Sequence, residues 1–223
     1  MAGIVLGCSA STLAMAAPEF LHEGKELVKK GFVVRGATAT IYVEIAGTKY
    51  KIVCKSSTAS GKVKGTTEVE GVVLKFKGCK GKEAEELHEC EVNSTSPLGA
   101  KEEIITKTLK GSLGVVAKAE AVSERGLLLT PASGTVFVTI KGSPECLPQE
   151  TTEIKGSLIG EIKPVKTLKL KGELVFKTAE EEKVQMIKKF VGESPVHVLE
   201  AYGVKAPLAT LATTEFEETF EVT

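Results

Sequence analysis

The sequence predicts an all-β fold, an antiparallel β-sandwich or barrel-like domain. Three observations point there. Apolar and charged residues alternate with period two from about residue 32 to the end, the pattern of strands with one face in a core and one in water. Glycines cut the alternation into short runs at roughly 8–12-residue spacing, as in sandwiches and barrels. Helix-like patterning is confined to two short stretches.

In chain order, Phe20 to Lys30 follows Pro18 and stops at Gly31, which predicts a short N-terminal helix. Thr38–Ile45 and Lys49–Cys54 read as strands about a Gly47-Thr48 turn. Gly61–Gly65, Val72–Lys77 and the stretch around Cys90 follow, then Glu103–Lys110, Gly126–Thr130, Thr135–Ile140, Glu153–Ile162, Leu168–Lys177 and Ala209–Val222. Ala179 to Phe190 runs Glu-rich then Lys-rich, which suits a helix dipole. Val184-Gln185-Met186 inside it alternates, so a strand fits as well. The dipeptide Lys-Gly recurs at Lys30, Lys64, Lys77, Lys80, Lys110, Lys141, Lys155 and Lys171. Lysine there closes a solvent face, and glycine supplies turn or bulge geometry. Leu109-Lys110-Gly111-Ser112-Leu113-Gly114 and Ile154-Lys155-Gly156-Ser157-Leu158-Ile159-Gly160 form a partial repeat, read as a pseudo-symmetric pair of hairpins.

This divides the chain into a leader-like segment 1–16, an N-terminal segment 17–30, and one β-rich domain 31–223, with two packed sub-sheets as an option. The run from Gly3 to Ala16 is small, apolar and uncharged. It ends Ala14-Met15-Ala16, an A-x-A cleavage pattern, without a basic residue before it. The expectation is a secretory leader. Val5-Leu6-Gly7-Cys8 only loosely resembles a lipoprotein acylation site. No stretch is long enough to span a bilayer as a helix, so no integral membrane span is expected.

Lys+Arg and Asp+Glu are both 29, for zero net charge. A dominant electrostatic grip on nucleic acid or an anionic membrane is therefore not expected. The chain has no Asp and no Trp, Asn93 is its only Asn, and Arg35 and Arg125 are its only arginines. Asp-led metal loops, Ser-His-Asp triads and arginine clusters go with them.

The cysteines are Cys8, Cys54, Cys79, Cys90 and Cys146. Without residues 1–16 four remain, an even number that suits disulfides in a secreted chain. A strand-loop-strand reading of residues 72–92 pairs Cys79 with Cys90, worth about 3 kcal/mol on the loop-closure estimate. Elimination then pairs Cys54 with Cys146, worth about 4–5 kcal/mol. A metal site joined by His88 or His22 is the rival, but no C-x-x-C pair or zinc spacing supports it.

The order of Tyr50-Lys51-Ile52-Val53-Cys54, Gly61-Lys62-Val63-Lys64-Gly65, Val73-Leu74-Lys75-Phe76-Lys77-Gly78-Cys79 and Cys90 is distinctive. It continues through Glu103-Ile104-Ile105-Thr106, Leu109–Gly114, Gly126-Leu127-Leu128-Leu129-Thr130-Pro131, Cys146, Ile154–Ile162, Phe190 and Val198-Leu199-Glu200-Ala201. Over residues 30–223 this resembles a family of secreted proteins of soil actinobacteria that occur as many paralogues and have no established activity. The resemblance implies secretion, an all-β domain and disulfides, and no activity. This chain departs from it in lacking a basic leader start and any Asp.

Site chemistry is sparse. His197 and Glu200 fall on opposite faces of a strand, which predicts a partly exposed strand histidine. His88, between Glu86 and Glu89, reads as a surface residue. Paired glutamates could run glycoside hydrolysis, but nothing singles out a pair, and Glu180-Glu181-Glu182 reads as a solvated face. Phosphate loops, nucleophile elbows and Rossmann glycines are missing. Asn93-Ser94-Thr95 is a glycosylation sequon. The functional expectation is a secreted, non-enzymatic β-rich protein with a structural or surface-binding role, without cofactor or metal. Its partner would be a cell surface or another copy of itself. The alternatives are an adhesin-like or assembly-forming subunit pairing by its strand edges, and an extracellular Glu-based hydrolase.

Overall fold

The computed structural model describes residues 17–223 apart from 28, 46–47, 84–88, 117–123, 144–150, 164, 166, 168 and 180–183. Among the described residues there is no helix, and every strand pairing is antiparallel. The strands are β1 (Phe20–His22), β2 (Lys25–Glu26), β3 (Gly31–Ile45), β4 (Thr48–Cys54), β5 (Ser56–Val63), β6 (Glu68–Lys77) and β7 (Lys80–Glu83). They continue with β8 (Cys90–Ser94), β9 (Glu103–Ile105), β10 (Leu109–Val116), β11 (Glu124–Pro131), β12 (Val136–Gly142), β13 (Thr152–Gly156) and β14 (Leu158–Lys163). The chain ends with β15 (Lys169–Phe176), β16 (Thr178–Ala179), β17 (Val184–Gln185), β18 (Leu199–Ala201), β19 (Val204–Lys205) and β20 (Leu208–Val222).

Eight strands close on themselves in the order β3-β5-β6-β10-β11-β14-β15-β20, with β20 paired back to β3. The architecture is thus a closed antiparallel barrel. Strand alternation fills it. Phe32 and Val34, Val72, Leu74 and Phe76, Leu127 and Leu129, and Leu174 and Phe176 are buried in one core cluster. The intervening Lys62, Lys75, Lys77, Lys110, Lys171 and Glu173 are exposed. An apolar inside with a charged outside is the reverse of a lipid-facing barrel wall. Two voids lined by described interior residues hold about 20 Å³ each, room for no more than one water.

A second sheet continues from one end of the barrel: β4-β7-β8-β12-β13-β18-β19, with β4 beside the far half of β3. It curls back toward β3, where Tyr42 N–H donates to the Pro207 carbonyl at 3.0 Å. Its buried Ile41, Ile52, Val92, Ile140, Ile154 and Leu199 belong to the same core cluster as the barrel. The two parts share strands that bend rather than stop. β4 runs into β5 across Lys55, and β6 into β7 across Gly78 and Cys79. The long Glu153–Ile162 strand of the sequence reading is likewise two strands meeting at Ser157.

The first bend carries a disulfide, Cys54–Cys79, with both residues fully buried. The register explains it. Val53 pairs with Lys80 on one side of the bend and Ser56 with Lys77 on the other, so the two cysteines stand opposite each other. This corrects both predicted bridges. Cys79 cannot reach Cys90, because Val92 is its neighbour on β8, with Val92 N–H donating to the Cys79 carbonyl at 3.2 Å. Cys90 sits two residues away, opposite Gly81. Cys54–Cys146 falls because the Cys54 sulfur is taken. Cys90 is itself disulfide-bonded; Cys8 and Cys146 lie outside the described residues.

The N-terminal helix candidate is also corrected, and of the two readings left open for the second stretch the strand is observed. Phe20 to Lys30 holds a short hairpin, β1–β2, turning at Glu23 and Gly24, both with positive φ. It buries Phe20 and Leu27 and pairs β1 with the end of β20. The N-terminal segment is thus built into the barrel. Arg125 Nε donates to the Thr223 carbonyl oxygen, and Glu19 N–H to Thr223 Oγ1 at 3.1 Å. In the second candidate Thr178–Ala179 pairs with Val184–Gln185, so the alternation there is a strand signal. The Gly47-Thr48 turn and the acidic run at 180–182 involve residues outside the described ones.

Non-reducing peptide mapping should find Cys54 linked to Cys79. Ser143 N–H donates to the Glu91 carbonyl, which brings the chain leading to Cys146 beside Cys90, so a Cys90–Cys146 peptide is the expected second product. With a sequence separation of 25, opening the Cys54–Cys79 bridge should cost about 3–4 kcal/mol in denaturant titrations.

Candidate functional site

The chemistry-bearing side chains gather on the outer wall of the barrel, over β10, β11 and β14. Gly114 pairs with Gly126, and Gly126 with Glu161 across the next ladder. The segment 186–198, without regular strands, lies over this wall. Its Phe190 and Ile187 form a small apolar cluster with Val116 and Ile159, and Leu128 packs against it. The glycine pair is needed: a Cβ on Gly114 would fall inside the Phe190 ring, and one on Gly126 would come within 3.2 Å of it.

Beside this cluster Glu161 is buried to 1% of its side-chain surface between two lysines. Its Oε1 lies 3.0 Å from Lys163 Nζ and its Oε2 3.1 Å from Lys177 Nζ. Burial acts to raise its pKa, but the two lysines outweigh it and hold the carboxyl below its ordinary value. Glu161 is therefore a carboxylate at neutral pH and ties the start of the 177–198 stretch to the wall. A substrate cannot reach a group this covered.

At the other end, Ser157, His197 and Glu193 stand in line. Ser157 Oγ and His197 Nδ1 share a 2.9 Å hydrogen bond, and His197 Nε2 lies 3.4 Å from Glu193 Oε2. Nucleophile, base and orienting carboxylate are in the order of an acyl-transfer relay. Ser157 follows Gly156, whose φ of 109° and contact with the Val198 carbonyl exclude a side chain. The amides beside the serine are spent, however. Ser157 N–H donates to Val198 at 3.2 Å and Gly156 N–H to Thr135 at 3.0 Å. Neither is left to stabilise an oxyanion. The relay's geometry fits a tie between the 186–198 segment and the β13–β14 bend.

The largest concavity described is elsewhere on the outer wall. A groove of about 780 Å³ runs along β5, β6, β10 and β11. It opens where β6 slips register against both neighbours, between Ser60 and Lys62 and between Leu109 and Gly111. Ser60, Gly71, Ser112, Thr130 and Ala132 give it a small-residue floor, and Lys62, Lys110 and Glu70 rim it.

The sequence-predicted residues fare differently. His197 is not a strand residue and is largely covered, and its carboxylate partner is Glu193, not Glu200. His22 Nδ1 hydrogen-bonds the Thr219 carbonyl at 2.8 Å, and Asn93 sits in the β8 ladder opposite Lys141. His88 lies outside the described residues. No group of three or more potential metal ligands occurs among the described residues. The sequence reading gave Ser157, Glu161, Phe190 and Glu193 no site role. The one available signal was Gly-Ser at a kink in the 153–162 strand. The chain matches no protein-family model, no curated protein and no solved structure.

Glu161→Gln should destabilise the protein by about 1–3 kcal/mol near neutral pH. Because the folded carboxyl titrates below its ordinary 4.5, its contribution is complete above that pH. It fades as pH falls through the lower folded value. Urea unfolding of wild type and variant should therefore converge in acid.

Proposed function

We propose that this is a secreted, non-enzymatic β-barrel protein that works by binding a surface or polymer outside the cell through the groove on its outer wall. The observation that carries the reading is the contrast between a filled interior and a concave exterior. Among the described residues the core voids are too small for a ligand, while the groove offers hydroxyls on a small-residue floor that an extended polar chain can approach closely. The fully buried Cys54–Cys79 bridge suits an oxidising compartment. Ala17 is exposed and Pro18 buried, so cleavage after Ala14-Met15-Ala16 would leave the barrel whole. No described helix is long and apolar enough to cross a membrane. Kinship with the secreted actinobacterial proteins belongs to the same proposal.

The competing readings find less support. Assembly by edge addition needs open edges. The eight barrel strands are paired on both sides, and β2, β16, β17 and β19 are two residues each. A hydrolase needs reachable carboxylates or oxyanion donors, and Glu161 and Ser157 offer neither.

Co-sedimentation with washed bacterial cell walls, cellulose and chitin tests the proposal. At least one polymer should retain the protein, and Thr130→Trp, which fills the groove floor, should reduce retention roughly tenfold, about 1.4 kcal/mol. Retention unchanged in the variant, or hydrolysis of chromogenic esters abolished by Ser157→Ala, would contradict it.

A further inference from the structure

The 186–198 segment is attached unlike anything else in the fold. Barrel strands are held by ladders on both sides. Among the described residues this segment has no ladder: its backbone bonds to the rest of the fold include Met186 N–H to Lys177 at 2.9 Å, Val191 N–H to Val115 at 2.7 Å and Ser157 N–H to Val198 at 3.2 Å, with an isolated antiparallel bridge between Phe190 and Val116. It buries two apolar side chains against the wall, Ile187 and Phe190, while residues 191–196 are all exposed. Under Phe190 the wall has no side chain, because Gly114 and Gly126 are both glycine. The result is a ring-shaped recess rimmed by Val116, Leu128 and Ile159. Leu128 is also a wall of the groove, so recess and groove meet at that residue.

We propose that residues 186–198 are a strap that opens as a unit while the barrel stays closed, and that lifting Phe190 off the glycine pair joins its recess to the groove as a site for a flat aromatic ring. Opening forfeits the burial of two apolar side chains, the backbone bonds above and the Ser157–His197 hydrogen bond, less than breaking a barrel strand with a ladder on each side. Stretches with few buried apolar contacts open below the global unfolding energy. The incoming ligand carries an aromatic ring because the floor already fits one at van der Waals distance. The extended site rests on the groove reading above; the opening of the strap does not.

Residue-resolved hydrogen exchange on the full chain tests it. The amides of Met186 and Val191 should exchange roughly tenfold or more faster than the ladder amides of Leu127 and Leu129. Benzyl alcohol, which competes for the recess, should accelerate the strap amides further without affecting the ladder. Phe190→Ala, with ladder protection intact, should bind benzyl alcohol with shifts at the Leu128 and Ile159 methyls. Should that variant fail to fold, the wild-type titration alone decides. Strap amides exchanging at the ladder rate, or a strap rate indifferent to benzyl alcohol, would overturn the proposal. Loss of polymer retention with the exchange pattern intact would retire the groove reading and leave the strap standing.

Discussion

Closure by β20 is the constraint on which the rest of the structure depends. One strand near the end of the chain pairs with β3 on one side and β15 on the other, and also takes up β1. An open sheet of this length would expose two long edges. Closing it buries the alternating apolar rows of all eight strands in one interior and sends every lysine and glutamate row outward. The consequences follow in order. The described interior is packed with side chains, and relief on the outer wall comes from register slips and glycines.

The second constraint is that strands bend without losing their partners. At Lys55 and at Gly78-Cys79 both arms of one hairpin pass from the barrel into the second sheet, keeping the same register on either side. Lys55 N–H still donates to the Lys77 carbonyl at 2.9 Å, and Cys54–Cys79 locks the crossing. The bridge thus fixes the angle between barrel and second sheet at the point where backbone pairing alone is thinnest. The β13–β14 bend at Ser157 has no disulfide. There the Gly156 conformation and the hydrogen bonds to Val198 and His197 hold the chain.

Much of this was legible in the sequence, and the failures have physical reasons. Alternation at Val72–Lys77 and Leu168–Lys177 located strands and their buried faces, because period two is local. Barrel against sandwich was not decided, because closure depends on pairing between residues such as Arg35 and Thr213, far apart in sequence. The disulfide was within reach. Running Lys49–Val63 and Glu68–Glu83 as two arms of one hairpin about residues 64–67 brings Cys54 close to Cys79, and the bulge between Ser60 and Lys62 sets the two directly opposite. Treating the arms as separate strands hid the bend and paired Cys79 with the next cysteine along. His197 was misjudged because its carboxylate partner lies four residues earlier in an irregular segment, not on a strand face. The socket of Gly114 and Gly126 for Phe190 is a tertiary match that no local pattern announces.

The proposed binding lies on the outer wall of the closed barrel, at a groove where β6 slips and beside a proposed strap where glycines make room for a ring. All of it requires that β20 seal the barrel. Backbone cross-strand nuclear Overhauser effects at Thr213 test that most directly. The closed barrel predicts contacts from this one residue to Arg35 on β3 and to Glu173 on β15 at once. Contacts to only one of the two would mean an open sandwich, and would contradict the account.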